Sequence, residues 1–213
     1  MALSKRAAAP RKPRRPYHHG NLRRALLDAA LDTIRAQGVD ALTLREIGTQ
    51  VGVSRTALYR HFADKRALLS AVATEGFRTL REQLVAAWEE GNRGPGAFRA
   101  MGAAYVHFAV ANPAHYRVMF GGFVHQQAPD PELATEADGA FQALVDALAA
   151  LQADGVVRGD DTVLTANFVW AVVHGVAMLA IDRQLPEPGR VEELMQYALE
   201  RLATAIGVDA GVR

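Results

Sequence analysis

Residues 43–65 read TLREIGTQVGVSRTALYRHFADK, and their punctuation marks two short helices joined by a tight turn. Thr43 opens the first: its hydroxyl can accept the otherwise unpaired N–H of Glu46 while the Glu46 side chain reaches back. Leu44, Ile47 and Val51 then point inward at helical spacing. Gly52 supplies the turn, where a positive φ costs glycine little. Ser54 caps the next helix, whose Leu58 and Phe62 face the core, and Asp64 caps another. The outer face of this stretch carries Arg55, Thr56, Tyr59 and His61 and is too polar and too aromatic for core filling.

Outward from this stretch the chain is helical throughout. A first helix is expected over 21–37, with Leu27, Ala30, Leu31 and Ile34 on one face and Gly38 ending it. A long fourth helix runs over 65–90 with an inner stripe of Phe77, Leu80, Leu84 and Trp88. Residues 91–96 form a breaker cluster. Further helices are expected over 97–111, 113–120, 131–153, 161–182 and 191–206, separated by glycine and proline. No stretch alternates like a strand for long. The expected fold class is all-α, with about nine helices: an N-terminal three-helix helix-turn-helix domain and a C-terminal helical ligand-binding and dimerisation domain. The expected divisions are a flexible basic arm at 1–19, the helix-turn-helix unit at 20–66 and the larger domain at 67–213.

Charge is divided in the same way. The net charge is only +1. Residues 1–66 carry 14 Lys and Arg against 5 Asp and Glu, and residues 67–213 carry 10 against 18. A basic front and an acidic back imply one end that meets a polyanion and one that does not. With no cysteine, disulfides, thiolate metal sites and cysteine nucleophiles are excluded. No run reaches about 18 uninterrupted apolar residues, so no membrane span is expected, and a cytoplasmic location fits.

In a helix-turn-helix the second helix lies in the major groove with its N-terminal residues near base edges. Arg55 can grip guanine O6 and N7 as a fork, and Thr56 and Ala57 are small enough to approach a thymine methyl. Tyr59, His61, Thr43 and Arg45 can donate to phosphate oxygens. Ser54 and Lys65 complete the set, Lys65 standing at a helix N-terminus where the backbone dipole also favours an anion.

The run LTLREIGTQVGVSRTALYRHFADKRALL, residues 42–69, resembles the TetR family of bacterial transcription regulators. The resemblance is carried by Gly52, Val53, Ser54, Leu58, Tyr59, His61, Phe62 and Lys65. It implies a homodimer in which a three-helix head reads DNA, a C-terminal domain holds an inducer pocket, and the last two long helices pair across the dimer axis. Trp170-Ala-Val-Val-His174-Gly175 resembles the W-x3-H-G signature of one C-terminal subgroup of that family, and NPAHYRVMF, residues 112–120, fits it too.

A pocket for a medium-sized apolar ligand is expected from Tyr105, Phe108, Tyr116, Met119, Phe120, Phe123, Phe141, Phe168, Trp170, His174 and Met178, which join aromatic and thioether bulk to a few polar tips. His107, His115, His125 and His174 lack tight metal-ligand spacing, so no metal is expected. A dimer seam is expected from Ala166, Val169, Val173, Ala177 and Ala180 with Leu194, Ala198, Leu202 and Ala205. None of the three serines lies in G-x-S-x-G, and no Walker motif, H-E-x-x-H or dinucleotide turn occurs, so neither an enzyme nor a bound cofactor is expected. The expectation is therefore a repressor held on a palindromic double-stranded operator and released by a small apolar or amphipathic effector. An activator or ligand-independent regulator of the same fold is the neighbouring reading, and an all-α enzyme or ligand-storage protein the remote one.

Overall fold

The computed structural model describes residues 22–123, 130–185 and 190–207. The expected arm at 1–19 and His125 lie outside the described residues. Nine helices and no strand occur among them: α1 Leu22–Gln37, α2 Leu44–Val51, α3 Arg55–Tyr59, α4 Lys65–Glu90, α5 Pro95–Ala111, α6 Pro113–Phe120, α7 Pro131–Ala153, α8 Thr162–Ile181 and α9 Arg190–Ile206.

The caps explain these boundaries. The Glu46 N–H donates to Thr43 Oγ1 at 3.3 Å, and the returning Glu46 carboxylate accepts from the Thr43 hydroxyl at 2.8 Å. Gly52 closes α2 at φ 77°, and its N–H satisfies the last carbonyls. Ser54 Oγ accepts from the Ala57 N–H at 3.2 Å, and Asp64 Oδ1 from the Ala67 N–H at 2.7 Å. Pro95 starts α5 two residues before the expected 97, because a proline at the first helical position loses no needed N–H. α3 ends at Tyr59, so His61 and Phe62 stand on the following turn, with Phe62 still buried.

α4 organises the molecule. It packs against α5, α6 and α7 on one stretch and against α1 on another. One continuous apolar core runs from Leu26 and Ile47 in the head through Leu68 and Phe77 to Leu202 at the far end. The division expected at 66 and 67 therefore falls inside a helix, and no linker separates the halves. Glu136 on α7 is buried, and it is held by Arg78 Nε and Arg81 Nη2, each at 2.9 Å, which clamps α7 to α4. α4 and α6 cross closely at Gly76: a Cβ there would stand 2.5 Å from Met119 Sδ.

α8 is long and apolar enough to cross a membrane by length and composition alone. One of its faces packs on α5, α7 and α9. The other exposes Leu164, Phe168, Met178 and Leu179.

Candidate DNA-reading surface and ligand cavity

The head holds the expected nucleic-acid residues at its surface. Thr43, Arg45, Ser54, Arg55, Thr56, Tyr59 and His61 are exposed, and Ala57 and Lys65 are half-buried. Four residues apart on α3, the Arg55 guanidinium carbon lies 5.4 Å from the centroid of the Tyr59 ring. The ring face attracts the cation and holds the fork over the helix surface. Lys65 is differently engaged from the expectation. Its Nζ donates to the Asp40 carbonyl at 3.1 Å, tying the start of α4 to the α1–α2 connection. An ammonium has three donors, so two remain for an anion.

The body contains a cavity of about 370 Å3 between α4, α5, α7, α8 and α9. Of the expected lining, Tyr105, Phe120, Phe141 and Trp170 form its wall. Phe168 and Met178 do not: both lie on the exposed side of α8, 47% and 36% accessible. A helix shows a continuous apolar run on all sides, so composition could not tell which side of α8 turns inward. Phe108, Tyr116 and Met119 are buried in the core behind the wall, Phe123 packs on the core, and His174 backs the wall from α8. Phe77, Leu80 and Leu84 of α4 line the cavity, as do Arg99, Asp138 and Asn167, which sequence reasoning did not single out. The last three are ordinary polar positions beside an apolar stripe, and only the packing of α5, α7 and α8 brings them together.

One wall is a closed hydrogen-bond cluster. Trp170 Nε1 donates to Tyr105 Oη at 3.0 Å. Tyr105 Oη lies 3.0 Å from both Tyr116 Oη and His174 Nδ1, and Tyr116 Oη lies 2.6 Å from the same nitrogen. Burial lowers the proton affinity of His174 and so favours the neutral ring, whose Nδ1 accepts from the Tyr116 hydroxyl or donates to it according to the tautomer. Burial pushes the Tyr105 hydroxyl up to about 12 and raises Tyr116 as well. Within the cluster both tyrosine hydroxyls and the indole N–H have partners.

α6 faces both ways. Phe120 meets the cavity and packs edge-on against Phe77 of α4, centroids 5.4 Å apart. His115, five residues earlier, reaches Glu75 of α4 at 3.3 Å, and Glu75 also holds Arg24 of α1 at 2.6 Å. In the sequence His115 stands out only by residue type, as a candidate metal ligand. His107 sits elsewhere, 3.2 Å from Glu192.

The seam expected on α8 is corrected. Ala166, Val169, Val173 and Ala177 are buried within the chain, and Leu202 of α9 lines the cavity. Ala180, Leu194 and Ala198 are half-buried and Ala205 is exposed. The accessible apolar stripe is the opposite one, Leu164, Phe168, Ala171, Met178 and Leu179, and Tyr197 of α9 is exposed as well.

A short capped helix-turn-helix set on an all-α body defines a DNA-binding regulator. Residues 26–72 match the bacterial regulatory proteins of the tetR family, and residues 98–202 match the tetracyclin repressor-like C-terminal domain. The chain belongs to the TetR family of transcriptional regulators. It is similar to a solved structure of a protein of unknown function from Rhodococcus sp. RHA1, at 33% identity over 91% of this chain and 100% of that one, with a TM-score of 0.80. It is 35% identical over 108 residues to an uncharacterised HTH-type transcriptional regulator of Mycobacterium tuberculosis, covering 50% of this chain and 46% of the relative. It is 42% identical over 53 residues to the class D tetracycline repressor protein of Escherichia coli, 25% of this chain and 24% of that protein. The chain thus spans about half the length, or less, of the curated relatives it matches. Family and relatives are transcriptional regulators, not enzymes.

Proposed function

We propose that this regulator is a cytoplasmic repressor acting as a homodimer. Residues 20–66 of each copy read one half of a palindromic operator, and a small apolar or amphipathic molecule in the cavity releases the complex. The observation that carries this reading is the path of α4, one helix that begins beside the DNA-reading surface at Lys65 and ends as the cavity wall at Leu84. An occupant pressing on Phe77, Leu80 or Phe120 shifts α4 or α6, and with them α1 through Glu75 and Arg24. A ligand that prefers the shifted state lowers DNA affinity by its differential binding.

Homodimerisation is supported by the accessible apolar stripe of α8 with Tyr197 of α9. Half-exposed Gly175 lies on the same helix, and a Cβ there would meet nothing within 4 Å, leaving room for a second copy. The class D tetracycline repressor is by name a repressor, which favours repression for a chain sharing its head.

The test is selection from randomised duplexes. A palindrome whose half-sites lie about one helical turn, ~34–36 Å, apart is expected. A single unpaired half-site, or no enriched motif, would contradict the dimeric reading.

A further inference from the structure

Apart from Arg99 and Asp138, the cavity lining offers no ion to a guest. Its sides are otherwise aliphatic and aromatic, and its one hydroxyl, that of Tyr105, is already bonded to Trp170, Tyr116 and His174. A charge placed inside would lose its hydration without gaining a counter-ion. Charge occurs only among the lining residues that are solvent-exposed: Arg99 on α5 and Asp138 on α7, with polar Asn167 on α8. Neither Arg99 nor Asp138 has an ion-pair partner among the described residues. An anionic guest in this cavity is attracted by one and repelled by the other, and a cationic one meets the same opposition with the signs reversed.

From this arrangement we infer that the cavity selects guests of no net charge, an apolar body ending in a neutral polar head, and that Arg99 and Asp138 are the residues that set this charge selection. The inference rests on the cavity being the effector site. A neutral head can take a donor from Arg99 or give one to Asp138, while the body fills the space lined by Phe141, Trp170 and Leu84.

Three probes of one shape test it: biphenyl bearing a carboxamide, a carboxylate or an aminomethyl group. Binding is read from Trp170 fluorescence in full-length protein carrying Trp88→Phe, since Trp88 and Trp170 are its only tryptophans. The carboxamide is expected to bind tightest, with each ion weaker by about threefold or more. Asp138→Ala should strengthen the carboxylate by about threefold relative to the carboxamide, and Arg99→Ala should do the same for the ammonium. Both positions are exposed, so the fold survives either change. An ion bound as tightly as the carboxamide, variants that leave the ranking unmoved, or a cavity that takes none of the three would overturn the charge selection. Binding is measured without DNA, so a bound carboxamide that fails to release the operator counts against effector control and leaves the selection standing.

Discussion

The Tyr116 hydroxyl lies 2.6 Å from Nδ1 of His174, a contact in which the neutral ring can accept from the hydroxyl while the protonated ring can only donate to it. Burial lowers the proton affinity of His174. It also lowers that of His115, where Glu75 acts in opposition. The folded state therefore binds fewer protons than the unfolded chain in this range, and stability falls as protons are added. Full stability is expected above the ordinary histidine value of about 6.5, with progressive loss as pH drops through it. The thermal midpoint should decline between about pH 7.5 and 5, and His174→Gln should flatten that decline. A midpoint independent of pH across this window would refute it.

Glu75 joins three helices, holding Arg24 of α1 at 2.6 Å and His115 of α6 at 3.3 Å. Partly exposed ion pairs of this kind contribute about 1 kcal/mol or less to stability, so Glu75→Gln should fold. Its expected effect is on communication: operator affinity without ligand changes little, and the loss of affinity on adding ligand shrinks. Fluorescence anisotropy of a labelled operator with and without a cavity ligand measures both. Unchanged coupling would remove Glu75 from the path.

Phe168 is 47% accessible at the middle of the outer stripe of α8. Phe168→Glu is expected to give a folded monomer with weakened operator binding, because a buried carboxylate without a partner is costly at an apolar seam. Sedimentation velocity with far-UV dichroism decides it. A dimer of unchanged stability would place the interface elsewhere.

Arg55 stacks on Tyr59 with its fork still accessible. Arg55→Ala should cost about 1–3 kcal/mol on the selected operator and relax preference at one base pair of each half-site. Equal loss on operator and random duplex would mean a backbone contact.

Lys65 donates to the Asp40 carbonyl at 3.1 Å, so it has a structural duty whatever it does on DNA. If its remaining donors meet phosphate, Lys65→Ala weakens all sequences alike and flattens the salt dependence by about one unit. A lower melting point with an unaltered salt slope would leave it a tether only.

Local chemistry made the head legible from residues alone. Thr43, Gly52, Ser54 and Asp64 act on backbone groups within three residues of themselves, and their caps and turn form as their side chains dictate. Helix positions in the body were readable for the same reason, since proline, glycine and capping aspartate mark boundaries through short-range sterics and hydrogen bonds. What tertiary packing alone decided was direction. α8 is apolar on every side, so whether Val173 or Phe168 faces the core depends on how α5, α7 and α9 close around it. That closure turned Phe168 and Met178 outward and set Arg99, Asp138 and Asn167 along one cavity. It also set Glu75 between Arg24 and His115, partners 51 and 40 residues away, a distance over which no sequence pattern carries information.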